Sequence, residues 1–185
     1  MHILDITENS IEAQARFITI RLEEDDQKDL LTMEVADDGT GMDREMTRRA
    51  LDPFVTTKKT RRVGLGLPLL AEAAKAAEGN FSLFSQPGRG TRVRATFRLS
   101  HFDRKPLGDI AQTLVTLIAG HPEIDIRYIH KINRARYSLD TREIREQLEG
   151  IAVNSPEVIK FIKKNINEGL DHLRRKKCMR KKLPK

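Results

Sequence analysis

Asn9, Asp5, Asp37 and two glycine-rich stretches, at 39–41 and 64–66, stand out in the first half of this chain for the chemistry their types allow together. A neutral amide such as Asn9 can hold a divalent cation without adding negative charge beside a polyphosphate. Magnesium in particular shares its near-octahedral oxygen coordination with phosphates and water. Asp5 lies four residues before Asn9, so on a helix the two side chains fall on one face. There a carboxylate can orient or deprotonate a water; its plainer role is to cap the helix start. Asp37 closes an apolar-leaning strand over residues 31–36 and opens the turn Asp37-Asp38-Gly39-Thr40-Gly41-Met42. An ionised Asp is an acceptor only, which suits the amino group of adenine. Gly39 and Gly41 let the backbone turn sharply beside a base, although Asp-Gly is also a common turn pair.

Further along, Thr56-Thr57-Lys58 precedes Gly64-Leu65-Gly66-Leu67 and Pro68, and a helical run follows at once. Glycines at a helix N-terminus leave backbone N–H groups free to face phosphate oxygens. Lys58, Lys59, Arg61 and Arg62 can neutralise phosphate charge there or form a solvated basic loop. Gly88-Arg89-Gly90-Thr91 then leads into an alternating strand, and the Thr91 hydroxyl can join Asp37 in holding the base, directly or through water. In this order the segments describe a pocket for ATP with Mg2+. Its candidate residues are Asp5 for catalysis, Asn9 for the metal, and Asn9, Asp37, Gly39, Gly41, Met42, Thr57, Lys58, Gly64, Leu65, Gly66, Leu67 and Thr91 for the nucleotide.

The elements that must position these residues are legible in the pattern. Residues 3–15 read as a helix carrying Asp5 and Asn9, and residues 17–22 alternate as a strand, with a charged turn at 23–29. Asp43 is placed to cap a helix over 43–51. A helix over 67–77 ends at Gly79, and strands at 80–85 and 91–99 flank a Pro87-Gly88 turn. The expected fold class is α/β, a two-layer sandwich of helices over a mixed sheet with one wet face. A mainly helical C-terminal appendage is expected after it.

The ordered set resembles the Bergerat-fold ATPases, the superfamily of sensor histidine kinases, gyrase-type topoisomerases, heat-shock chaperones and mismatch-repair ATPases. Leu51-Asp52-Pro53-Phe54-Val55-Thr56-Thr57-Lys58 with Gly64-Leu65-Gly66-Leu67 is most similar to the histidine-kinase catalytic domain. Glu8-Asn9-Ser10-Ile11-Glu12-Ala13 is more similar to the mismatch-repair and chaperone branch. The resemblance covers about residues 2–100. It implies that Asp37 contacts adenine, that Asn9 binds magnesium, and that a lid lies between the third and fourth glycine signals, very short here between Lys58 and Gly64. Two departures matter. Where histidine kinases often carry a basic residue three positions after the asparagine, this chain has Glu12. Where the mismatch-repair and chaperone branches typically have a glutamate four before it, this chain has the shorter Asp5.

Residues 101–173 have another grammar, with no catalytic motif. An apolar-periodic helix over 107–119 stops at Gly120-His121-Pro122, and a hairpin forms around Asn133. A short helix follows over 141–149, and a last one starts at Ser155-Pro156 and runs to about 173. This segment either packs on the sheet or forms a small partner-binding subdomain. The expected organisation is an ATP-binding domain at 1–100, a subdomain at 101–173 and a basic tail at 174–185.

The net charge of +7 belongs to that tail. Of the 34 Lys and Arg, eight lie in 174–185 with no acid among them, and the remaining 26 face 27 acidic residues. A solvated, disordered end is expected, and only through it is nucleic acid a partner; no aromatic is interleaved there for stacking on bases. A single cysteine, Cys178, excludes an internal disulfide and fits a reducing compartment. With no apolar run of spanning length and no signal-peptide pattern, a cytoplasmic protein is expected. Neither the helix pair that carries a phosphoacceptor histidine nor a second domain that supplies a catalytic lysine accompanies the motifs. The reading is therefore a stand-alone module, kinase or ATPase, acting on a separate protein partner or phosphoacceptor. The alternative is a regulatory module that binds ATP or ADP without turnover.

Overall fold

A computed structural model describes residues 2–52 and 66–181. Twelve elements follow one another among them: α1 (His2–Glu12), β1 (Phe17–Asp25), β2 (Leu30–Asp37), α2 (Arg44–Arg49), α3 (Gly66–Ala76), β3 (Phe81–Gln86), β4 (Gly90–Arg98), α4 (Ile110–Gly120), β5 (Asp125–Ile132), β6 (Ala135–Asp140), α5 (Thr141–Gln147) and α6 (Pro156–Lys181). The six strands form one sheet in the order β3-β4-β2-β1-β5-β6. The β1·β5 pair is parallel and the others are antiparallel, so the sheet is mixed.

Alternation explains which face is buried. Ile18, Ile20 and Leu22 of β1 are buried, as are Leu31, Met33 and Val35 of β2, Val93, Ala95 and Phe97 of β4, and Ile126, Tyr128 and Ile132 of β5. The register aligns them across the sheet: Ile20 faces Val35 on one side and Tyr128 on the other. Helices α1, α3, α4 and α6 cover this face with their own buried stripes, such as Ile3 and Ile6 of α1 and Val158, Ile162, Ile166, Leu170 and Leu173 of α6. The opposite face carries Arg21, Glu34, Arg92 and Arg94 and is wet.

Residues beyond 100 do not sit beside this sheet as an appendage; they extend it. β5 pairs with β1 over eight residues, and β6 with β5. Parallel strands need a long crossover, and here everything from β2 to α4 intervenes between the paired strands. β1 also runs three residues farther than its alternation indicated, to Asp25, because Glu24 pairs with Leu31 and Asp25 with Leu30. The last helix likewise passes residue 173 and continues to Lys181. No described helix is long and apolar enough to cross a membrane.

Candidate nucleotide site

The site lies at one end of the sheet's covered face, where β2 stops. Asp37 is the last residue of β2 and stands opposite Ile18, so its side chain belongs to the covered face. Three donors hold its carboxylate. The Ser10 hydroxyl donates to Oδ2 at 2.6 Å, and the Gly39 and Thr91 backbone N–H groups donate to Oδ1 at 3.0 and 3.1 Å. An ionised carboxylate offers about four acceptor positions, so one remains for an incoming donor such as an adenine amino group. All three partners are neutral.

The turn after Asp37 is pinned on both sides. Asp38 Oδ1 accepts the backbone N–H groups of Arg16 and Phe17 at 2.8 and 2.9 Å, which fastens the α1–β1 connection to it. Thr40 N–H donates to the Ala13 carbonyl at 2.8 Å. Two glycines are required by close approach. Gly41 has φ +68°, and a Cβ there would come within 1.9 Å of the Gln86 carbonyl oxygen; Gly90, at φ +79°, would place a Cβ 1.9 Å from the Asp37 carbonyl oxygen. In both cases the crowding comes from the protein's own backbone, so these glycines let the 37–42 turn lie against the β3–β4 end.

Ser85, on β3, ties these pieces together. It accepts the Met42 N–H at 2.8 Å, donates to the Gly90 carbonyl at 3.1 Å and lies 2.9 Å from the Thr91 hydroxyl. Thr91 therefore meets Asp37 through its backbone, while its hydroxyl is turned to Ser85. Ser10, Asp38 and Ser85 were not picked out from the sequence. Ser10 follows Asn9 directly, but its partner is 27 residues away.

Asp5 and Asn9 do share one face of α1, against the start of α3. A Cβ built on Gly66 would lie 3.4 Å from Asp5 Cβ and 3.6 Å from the Asn9 amide nitrogen. Asp5 belongs to the first turn of α1, which begins at or before His2, so it does not occupy the cap position. Gly66 and Leu67 stand at the start of α3, beside this pair. Asp43 caps α2, accepting from Met46 N–H at 2.7 Å. Thr57, Lys58, Gly64 and Leu65 lie outside the described residues, as do Lys59, Arg61 and Arg62.

Whether this end suits a magnesium ion can be judged from its donors. Asn9 is half-buried beside Asp5, and no group of three or more His, Cys, Asp or Glu side chains occurs among the described residues. One amide with no carboxylate cage fits a cation held mainly by phosphates and water, as magnesium is.

The family model for the histidine kinase-, DNA gyrase B-, and HSP90-like ATPases matches residues 2–101. The chain belongs to that family, and this part of it is an ATP-binding, kinase-like domain of Bergerat type. Among curated relatives, the chain is 36% identical over 110 residues to the sensor protein kinase FleS of Pseudomonas aeruginosa, covering 60% of this chain and 27% of FleS. It is 32% identical over 112 residues to the non-motile and phage-resistance protein of Caulobacter vibrioides, covering 56% of this chain and 13% of that protein. Full-length ShkA, solved in complex with AMPPNP, is similar with a TM-score of 0.45 and 21% identity, covering 52% of this chain and 20% of ShkA. The chain thus spans about a quarter or less of the length of these relatives.

Proposed function

We propose that this chain binds ATP with magnesium between α1, the 37–42 turn and the start of α3, and acts as a kinase or ATPase module on a separate protein partner. The observation that carries the reading is Asp37: a carboxylate held by three neutral donors with one acceptor position left. In this reading Asp37 takes the adenine amino group, and Gly39, Gly41, Met42 and Thr91 shape the base pocket through their backbones. Gly66 and Leu67 turn the N–H groups of α3 toward phosphate, with Thr57, Lys58, Gly64 and Leu65 assigned to the same task from the sequence. Magnesium, held by Asn9, would draw charge off the triphosphate. Asp5, one turn away on α1, orients the attacking water or acceptor hydroxyl and accepts its proton. Residues 1–100 carry this chemistry, and 101–173, which complete the same sheet, are assigned to the partner. The compartment is the cytoplasm, in keeping with the lone cysteine.

Asp5 also supports a second reading, in which nucleotide is held as a regulatory signal without turnover. It is one methylene shorter than the glutamate typical of related hydrolases, and small misplacements of a catalytic group can cost about a hundred-fold in rate. ATPase and phosphotransfer assays on the purified chain separate the two.

The binding assignment is tested with Asp37→Asn, which keeps the size but puts a donor where an acceptor is needed. Loss of a charge-assisted hydrogen bond costs about 1.5–3 kcal/mol, ten-fold or more in affinity. Calorimetry with ADP or ATP and magnesium is expected to show that loss in a folded variant; unchanged affinity would overturn the assignment.

A further inference from the structure

Residues 174–185 carry eight Lys or Arg and no acid, and such a run is ordinarily a solvated end. Its first two turns depart from that. α6 continues through them to Lys181, and Lys177 Nζ lies 2.8 Å from Glu24 Oε2 and 3.1 Å from Asp26 Oδ1. Asp26 is itself gripped by the β5–β6 turn: its N–H donates to Asn133 Oδ1 at 2.9 Å, and Asn133 Nδ2 donates to its carboxylate at 3.0 Å. The helix is therefore fastened to the end of β1 and the turn after it, itself tied to the β5–β6 turn, where the basic run begins.

Around that anchor the remaining charge is displayed. Arg174 pairs with Asp171 at 3.5 Å, with both side chains exposed. Arg175 and Lys176 are exposed and form no ion pair among the described residues. Successive residues step about 100° around a helix, so positions 174 to 176 put positive charge on the outer face and both flanks, while Leu173 and Lys177 mark the side held to the body. The buried stripe of α6 ends at Leu173, where the run starts. No apolar stripe accompanies the charges, which removes the usual means of lying in a lipid interface.

We propose that this end of α6 is a docking arm for double-stranded nucleic acid, engaging its phosphate backbone without reading sequence. A helix about 10–12 Å across, with charge on its outer face and both flanks, matches a major groove about 12 Å wide, walled by phosphates on both sides. An acidic protein surface would meet one side only. Because the helix is already formed and anchored, binding does not have to pay for ordering it. The rest of the chain is close to neutral, with 26 basic against 27 acidic residues, so attraction to a polyanion concentrates at this arm.

The test is fluorescence anisotropy with a labelled duplex of arbitrary sequence, about two helical turns long, over roughly 50 to 200 mM salt. The parent is expected to bind, with log K falling against log salt at about −0.9 per phosphate engaged. Replacing Arg174, Arg175 and Lys176 together with Gln leaves the Lys177 anchor intact. That variant is expected to bind at least ten-fold more weakly at low salt, with the slope reduced by about 2 to 3 and an unchanged melting temperature. Three outcomes overturn the proposal: no duplex binding at the lowest salt, a triple variant with the parent's affinity and slope, or tighter binding to poly-glutamate or anionic vesicles than to duplex.

Discussion

Two carboxylates sit on the covered face of this sheet at opposite ends of the β1·β2 pair. Asp37 stands opposite Ile18, and Glu24 opposite Leu31. Six residues of strand separate the two positions, roughly 20 Å at about 3.4 Å per residue. Asp37 is held by a hydroxyl and two N–H groups and keeps an acceptor position open. Glu24 is instead paired with a cation: Lys177 Nζ lies 2.8 Å from Oε2, and His130 Nε2 lies 3.3 Å from Oε1. His130 in turn meets the buried Tyr128 hydroxyl at 2.8 Å through Nδ1. The hydrogen bond to His130, opposed by burial and helped by Lys177, brings the Glu24 carboxyl down to about 2. A carboxylate whose charge no cation offsets among the described residues can take a ligand, whereas one paired with a lysine from a distant helix holds the fold together.

The largest effect expected from probing this contrast is on turnover. Asp5→Asn should lower ATP hydrolysis or phosphotransfer by about a hundred-fold while leaving nucleotide affinity almost intact. If the variant turns over as the parent does, Asp5 has no catalytic part and Glu8, beside Asn9, becomes the carboxylate to test. Glu24→Gln should do the reverse, leaving nucleotide binding alone and destabilising the fold by about 1–3 kcal/mol, because Lys177 loses one of its two carboxylate partners and His130 its charged acceptor. At about 2–4 °C per kcal/mol for a chain of this size, thermal unfolding will register the loss. A Glu24→Gln protein with normal melting and weakened nucleotide binding would break the comparison.

Acid sharpens it. The folded Glu24 carboxyl titrates at about 2, below its ordinary 4.5. Its stabilising contribution is therefore complete above about pH 4.5 and disappears as pH falls toward 2. The melting-temperature gap between parent and Glu24→Gln should be widest near neutral pH and close in that window; a constant gap would mean the ion pairs are not its source. The smallest effect belongs to Ser10→Ala, which removes one neutral hydrogen bond to Asp37 and should weaken nucleotide binding by about 0.5–1.5 kcal/mol in calorimetry.

The contrast between the two ends also marks how far the residues could be read without a fold. Asp37, Gly39 and Thr91 were recognisable because a strand end, a tight turn and a glycine-led strand each leave a local signature. Ser85 left none: a serine in an alternating strand looks like any other surface serine until the 37–42 turn is folded onto it. In the sequence Glu24 and Lys177 belong to a charged turn and a basic tail, since each has an ordinary exposed role in its own neighbourhood. Their bond spans 153 residues of sequence.

Local chemistry determined the helices, the strands and the order of the nucleotide motifs, through periodicities of 2 and 3.6, caps such as Asp43 and turns such as that at Asn133. Those signals act over a few residues and survive in any context. Only the tertiary structure decided that β5 lies parallel to β1, so that residues beyond 100 complete the sheet that carries the site. It alone decided that Ser10 reaches Asp37 and that Lys177 reaches Glu24. Parallel pairing and buried polar contacts are chosen by which faces can be covered together, and a linear pattern records that a face is apolar without recording what will cover it.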